Sequence, residues 1–346
     1  MKAVLKLSKF LLVITILLIF IFQIWGLYIS RGAMIKRPDN LGNFKSNIEN
    51  LKSNAVGEKI KIAVIGDSRS TGTFDSIALQ LKNYKFDFAV LLGDIAINGS
   101  KYEHQWLLRE IKRDWCFKFP LFYLIGNHDI DSKIYPVASF NRDYGPTVFS
   151  FEYKKCLFIF LRVWNGYGTD YGESLALLKK LSEKDLSGYR KRLVFMHQPP
   201  EISTLAPVKR FADNTEFVKL FKKMNIDYVF ASDFHGYSWT KQDGIIYNIT
   251  GGGGASLVKS VPEQFHHIIL FEIGENFTSQ QLIVIRKSTG IDDALSHFVF
   301  TSYLPVLNDN PEVLLIINIF MGFILFSLFF LPAELKSENN SAGKQS

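Results

Sequence analysis

Five short apolar runs in this 346-residue sequence each end in a side chain that can hold a cation or move a proton. Ile65 is followed by Gly66-Asp67, and Leu92 by Gly93-Asp94. Ile125 is followed by Gly126-Asn127-His128-Asp129, Met196 by His197, and Ala231 by Ser232-Asp233-Phe234-His235. A single Gly-Asp after a strand is more often a turn or a helix cap. A single buried His is usually a hydrogen-bonded core residue. Five run ends in succession, each with a carboxylate, amide or imidazole, favour a built site.

The elements that must carry these residues are legible from periodicity. Runs of strand length are Ile60–Ile65, Phe88–Leu92, Leu121–Ile125, Leu157–Val163, Leu193–Met196, Tyr228–Ala231, Ile245–Ile249, Ile268–Ile273 and Leu282–Ile285. Helical spacing fits Ser76–Leu81, Glu103–Ile111, Ser174–Leu186 and Glu216–Met224. The early alternation predicts parallel βαβ units, and the later strands lie close enough for hairpins. The candidate ligands then fall at the carboxyl ends of strands, the edge where open α/β sheets build sites. Glycine before the ligand allows a tight turn there.

This set and order resemble the calcineurin-like metallophosphoesterase superfamily, from about Lys59 to Lys287. Gly126-Asn127-His128-Asp129 is the most specific piece. Gly93-Asp94, His197-Gln198-Pro199-Pro200 and the Gly251–Gly254 run add to it. The resemblance implies an α/β fold, a four-layer αββα sandwich. It also implies two divalent ions, Mn, Fe, Zn or Mg, since the donors are oxygen and nitrogen without cysteine. Asp94 would bridge both ions, with Asp67 and His235 on the first and Asn127 and His197 on the second. A bridging hydroxide would attack phosphorus in line with the leaving oxygen. His128 would donate to the leaving group and Asp129 would orient its ring.

Two positions depart from the family pattern. Asp67-Ser68-Arg69 puts an arginine where a His ligand usually stands, and a guanidinium has no free lone pair. The Tyr that serves purple acid phosphatases in its place is Ile97 here. Asp233 replaces the first His of a Gly-His-x-His motif; it is a harder ligand and adds negative charge. Arg69 has two readings: a bidentate phosphate binder, or an ion pair with Asp67 or Asp233.

The rest of the chain concerns location. Phe10 to Ile29 is apolar apart from Thr15, Gln23 and Gly26, follows Lys2, Lys6 and Lys9, and has no A-x-A cleavage pattern after it. It reads as a signal anchor, with a cleaved signal peptide as the alternative. Val313 to Leu331 is uncharged and bounded by Pro311 and Pro332. No Lys or Arg occurs in 301–312, while Lys336 and Lys344 follow the second span, so the positive-inside rule puts both termini in the cytoplasm and the middle domain outside. The expected division is a cytoplasmic N-terminus 1–9, anchor 10–29, linker 32–58, metallophosphoesterase domain 59–290, linker 291–312, transmembrane helix 313–331 and polar tail 332–346. The net charge of +7 suits a phosphate-bearing substrate or anionic membrane lipids, and no nucleic-acid-binding signature is present. Cys116 and Cys156 lack metal-type spacing. The sequence leaves the oligomeric state open. The expected function is metal-dependent hydrolysis of a phosphate ester of a membrane or envelope component. The alternative is a non-catalytic, membrane-anchored relative acting as a binding or scaffold protein. Two uncharged spans offer no polar path for a channel.

Overall fold

The computed structural model of the protein describes residues 2–33, 41–69, 72–114, 119–164, 166–200, 202, 215–260, 263–286 and 290–330. Cys116 and the expected polar tail 332–346 lie outside the described residues, and Cys156 is a buried free thiol. The chain divides into two units, Met1–Met34 with Phe298–Ser346, and Ile35–His297.

In chain order the elements begin with α1 (Lys2–Ala33), α2 (Lys45–Ser53), β1 (Ile60–Ile65), α3 (Thr73–Leu81), β2 (Phe88–Leu91), α4 (Lys101–Asp114) and β3 (Leu121–Tyr123). Next come α5 (Val137–Tyr144), β4 (Phe149–Tyr153), β5 (Cys156–Phe160), α6 (Gly172–Ser182), β6 (Lys191–Phe195), α7 (Thr215–Lys223) and β7 (Tyr228–Ala231). Four strands follow: β8 (Tyr237–Gln242), β9 (Ile245–Thr250), β10 (His267–Ile273) and β11 (Thr278–Val284). The chain closes with α8 (Ile291–Phe298), a π-helical turn (Val299–Tyr303), α9 (Leu304–Asp309) and α10 (Pro311–Phe330).

The larger unit is a four-layer αββα sandwich. One sheet has the order β11-β10-β1-β2-β3 and the other β4-β5-β6-β7-β9-β8. The parallel strands are β1, β2 and β3 in the first sheet, and β5, β6, β7 and β9 in the second. Parallel strands are buried on both faces, which explains their continuous apolar runs. Ile60, Ile62 and Val64 of β1 share one core layer with Phe158, Phe160, Phe195 and Phe230 of the opposing sheet. Edge-to-face and stacked rings fill that layer, as in Phe88 on Phe158 at 5.3 Å and Phe195 on Phe230 at 5.5 Å. On the far side of the second sheet, α6 and α7 bring Leu178, Phe217 and Phe221 against Ile159, Val194 and Val229. The i, i+3, i+4 spacing of their apolar residues makes that possible.

Two strands carry no apolar run in sequence, β4 and β8. They are the edges of the second sheet. An edge strand is solvated on one side, so FSFEY and YSWTKQ mix polar and aromatic residues. Their hairpins turn through pairs of left-handed residues, Lys154-Lys155 and Asp243-Gly244.

The polar stretch expected as a linker is partly packed into this unit. Leu41 pairs with Leu121 and is fully buried, and Leu51 of α2 joins the core between the sheets. Asn43, only 1% exposed, has its amide stitched to the end of β3. Its Nδ2 donates to Tyr123 O at 2.7 Å and Pro146 O at 2.8 Å, and its Oδ1 accepts from Tyr123 N at 2.8 Å. An asparagine reads as surface in sequence; here every polar group finds a backbone partner, so it can be buried. The segment 291–312 is likewise helical, through α8, the π-helical turn and α9.

The smaller unit is helical. It contains two helices long and apolar enough to cross a membrane, Lys6–Gly26 and Pro311–Phe329, with mean hydropathies of 2.5 and 2.3. Gly26 lets Val299, Tyr303 and Leu304 approach α1, and Phe22 lies 4.8 Å from Tyr303.

Replacing Asn43 by Ala leaves a buried amide N–H and two carbonyls without partners. We expect a loss of about 2–3 kcal/mol in denaturant unfolding. An unchanged midpoint would mean that residues 41–53 do not brace the sandwich.

Candidate metal centre

The loops after β1, β2, β3, β6 and β7 converge at one edge of the sandwich. Three of the carboxylates there, Asp67, Asp94 and Asp233, adopt left-handed backbone conformations, with φ of 46°, 50° and 64°. Such values are uncommon outside glycine, although Asp tolerates them better than most residues. They turn the chain sharply at the strand end, so each carboxylate faces inward. Two glycines are required beside them. Gly93 has φ of 95°, and a Cβ there would sit 2.6 Å from Gly126 N and 2.8 Å from His197 Nδ1. A Cβ on Gly126 would run into the Asp94 carboxylate.

His197 defines one half of the site. Its Nδ1 lies 2.9 Å from Leu92 O, and since a carbonyl only accepts, the proton is on Nδ1. Its Nε2 therefore faces Asn127 Oδ1 at 3.3 Å, Asp94 Oδ1 at 3.4 Å and Asp233 Oδ1 at 3.6 Å. Four electron-rich atoms point at one another, an arrangement that a cation resolves. With only a proton available, burial opposes charging the ring, but Asp94, Asp233 and Asp67 outweigh it and push His197 up to about 10. Gln198 Nε2 donates to Asp233 Oδ2 at 3.4 Å, holding that carboxylate from behind.

The other half contains Asp67 and His235. Asp67 is fully buried, and burial, with Asp94 and Asp233 adding to it, lifts its carboxyl well above the usual range against His197 and Ser232. Its Oδ2 accepts from Ser232 Oγ and from Asp233 N at 3.0 Å, while Oδ1 has no hydrogen-bond partner among the described residues. His235 Nε2 is 3.6 Å from that Oδ1. His235 Nδ1 donates to Ser256 O at 2.8 Å, and burial and Arg69 lower the ring's pKa. Two donor groups could each hold a metal ion: Asp67, Asp94 and His235, and Asp94, His197 and Asp233, with ligand atoms in each group within 4.8 Å of one another. The orphaned Asp67 Oδ1 and the convergence on His197 Nε2 both fit a divalent cation. Among the described residues, Arg69 has a partner that the sequence did not suggest. It pairs with Asp94 Oδ2 at 3.2 Å and meets His235 Nε2 at 3.2 Å.

His128 is at the rim, with its side chain 40% exposed and Nε2 4.0 Å from Asp94 Oδ2. The expected partnership with Asp129 is not what the structure shows. His128 Nδ1 donates to Ile97 O at 3.0 Å instead. Asp129 is fully buried and accepts from Ile95 N and Ala96 N on Oδ1, and from Gly126 N on Oδ2. It clamps the Asp94 loop to the Asn127 loop. Burial and Asp94 lift its carboxyl to about 7 against those donors. Adjacency in sequence suggested the ring as its partner; three unpaired backbone N–H groups claim it first.

One contributor was not visible in the sequence. His104 of α4 lies behind the site, stacked on Tyr135 at 4.0 Å. Its Nε2 donates to Asp129 O at 2.6 Å and its Nδ1 accepts from Tyr144 Oη at 2.9 Å. A helical His at core spacing gives no sequence signal of this role.

Comparisons with known proteins bear on the family and the fold. A family model described as calcineurin-like phosphoesterase matches residues 60–237. No curated protein matches the sequence. Among solved structures, a dimetal phosphatase from Danio rerio is similar at 12% identity with a TM-score of 0.50, covering 66% of this chain and 99% of that one. A purple acid phosphatase from yellow lupin seeds matches at 15% identity and a TM-score of 0.46, covering 62% of this chain. The match spans only 49% of that longer protein. GAP50, the anchor in the inner membrane complex of Plasmodium, matches at 13% identity and a TM-score of 0.47, covering 70% of this chain and 95% of its own.

Burial holds the His104 ring neutral, with its pKa lowered from 6.5 to about 4. The unfolded chain binds that proton first, so stability is full above pH 6.5 and falls as pH drops towards 4. The loss is on the order of 3 kcal/mol. His104→Asn should flatten that part of the stability–pH curve; an unchanged slope would show that His104 is not the group responsible.

Proposed function

This chain belongs to the calcineurin-like phosphoesterase family, and from that premise we propose that it hydrolyses a phosphate ester with divalent metal at the centre described above. The observation that carries the reading is the convergence of Asp94, Asp233 and Asn127 oxygens on Nε2 of His197. Asp94, Asn127, His197 and Asp233 would hold one ion, and Asp67, Asp94 and His235 supply the donors of a first position. Bound divalent ions supply Lewis acidity, acidifying water and neutralising charge on phosphoryl oxygens.

The chain's own residues do the rest. Arg69 is one-fifth exposed and binds the phosphoryl oxygens through the guanidinium N–H groups it does not spend on Asp94 and His235. Nδ1 of His128 is committed to Ile97 O, so Nε2 is the atom that faces substrate. As an imidazolium it donates its Nε2 proton to the leaving oxygen. Asp129 and His104 keep the loops in register.

Two apolar helices favour a substrate at a membrane or envelope surface, with the catalytic domain on the extracytoplasmic side. Reporter fusions after residue 40 and at the C-terminus test the sidedness. An extracytoplasmic C-terminal reporter would reverse it. The non-catalytic scaffold reading draws on the Arg69–Asp94 ion pair, which engages a carboxylate that catalysis needs.

Hydrolysis of generic phosphomono- and phosphodiesters by the purified protein, loaded with Mn, Fe, Zn or Mg, separates these readings. We expect activity that chelation removes and that Asp94→Ala abolishes. His128→Ala should lower kcat about 10²–10⁴-fold, most for poor leaving groups. A protein that binds none of the four metals and hydrolyses nothing would leave the scaffold reading standing. Full activity in Asp94→Ala would put the site elsewhere.

A further inference from the structure

The departure at Arg69 has a structural consequence that its contacts define. The donor atoms of Asp67, Asp94 and His235 lie within 4.8 Å of one another, the makings of a cation position. Two of the three are already bound to a cation from the chain itself. Arg69 Nη1 donates to Asp94 Oδ2 at 3.2 Å, and Nη2 lies 3.2 Å from His235 Nε2. The second contact is also donated by the arginine. His235 Nδ1 holds its proton against Ser256 O, so Nε2 presents a lone pair, the same lone pair a metal would need. The third donor, Asp67 Oδ1, is buried with no hydrogen-bond partner among the described residues, so the position calls for positive charge nearby.

We propose that the Arg69 guanidinium is the resident cation of the first position, and that the protein holds a single divalent ion, at Asp94, Asn127, His197 and Asp233. This deepens the hydrolase reading and rests on it. The guanidinium is permanently protonated and its planar fork reaches a carboxylate and an imidazole at once. A second dication would have to take Asp94 Oδ2 and His235 Nε2 away from a fixed charge and then sit beside it in a poorly solvated site. Asp233, standing where the family pattern has an imidazole, gives the remaining ion a second carboxylate. The phosphoryl group would then meet one metal ion and one arginine.

The test counts metal in the full-length protein in detergent, loaded with Mn²⁺ and freed of excess. We expect one Mn²⁺ per chain and the electron paramagnetic resonance spectrum of an isolated ion. Arg69→Ala should take up a second Mn²⁺ and show exchange coupling through Asp94. Asp67→Asn should keep the single ion and His197→Ala should lose it, which assigns the position even if the Arg69 variant fails to fold. Two coupled ions in the wild-type protein would overturn the inference and leave the hydrolase reading intact. The reverse pattern, with the ion lost in Asp67→Asn and kept in His197→Ala, would overturn it too. A wild-type protein that binds no Mn²⁺, Fe, Zn or Mg would overturn both.

Discussion

Asp67, Asp94 and Asp233 sit at one edge of the sandwich with almost no access to water, and their mutual repulsion is the constraint that the surrounding structure answers. Buried like charges do not stay close without counter-charge or rigid support. Support comes from the backbone: each of the three residues is held in a left-handed conformation that costs on the order of 1 kcal/mol or more. The sheets hold that conformation in place. Parallel pairing fixes β1 against β2 and β6 against β7, and the aromatic layer between the sheets fixes the two sets of strand ends against each other. Gly93 and Gly126 then allow two loops to touch where any side chain would separate them.

Hydrogen bonding extends the same logic outward. Asp129 spends its whole carboxylate on three backbone N–H groups from two loops, so Asp94 and Asn127 cannot drift apart. His104 holds the Asp129 carbonyl from the helix behind. Leu92 O fixes the tautomer of His197, Ser256 O that of His235, and Ile97 O that of His128. All three rings are oriented by main-chain carbonyls. The site is therefore pre-organised by the backbone more than by side-chain pairs.

This division explains what the sequence could and could not disclose. The central strands were legible because burial on both faces forces unbroken apolar runs, and the ligands were legible because they follow those runs at once. β4 and β8 were not, because a sheet edge tolerates polar residues. Asn43 was not, because burial of an amide depends on three backbone partners that are distant in sequence. The role of Asp129 is hidden in the sequence for a similar reason. Its neighbour in the chain is His128, but its partners in space are Ile95, Ala96 and Gly126. Ligand types travel with local pattern; partnerships are set by tertiary contact.

The two departures from the family pattern are best understood together. Asp233 alone would add a negative charge to a site that must accept an anionic phosphate. Arg69 alone would place a positive charge next to Asp94 and weaken its hold on a cation. Present together they offset one another, and geometry keeps them apart. Arg69 reaches Asp94 Oδ2 and His235, whereas Asp233 faces His197 and the other Asp94 oxygen. Asp94 is thus the shared wall between a positive side chain and a metal position, with one oxygen turned to each. Its carboxylate has little freedom to turn otherwise, because His128 N donates to Oδ1 at 2.9 Å and Gly126 closes over it. On the proposed reading, Asp94 would divide a guanidinium from a single metal position.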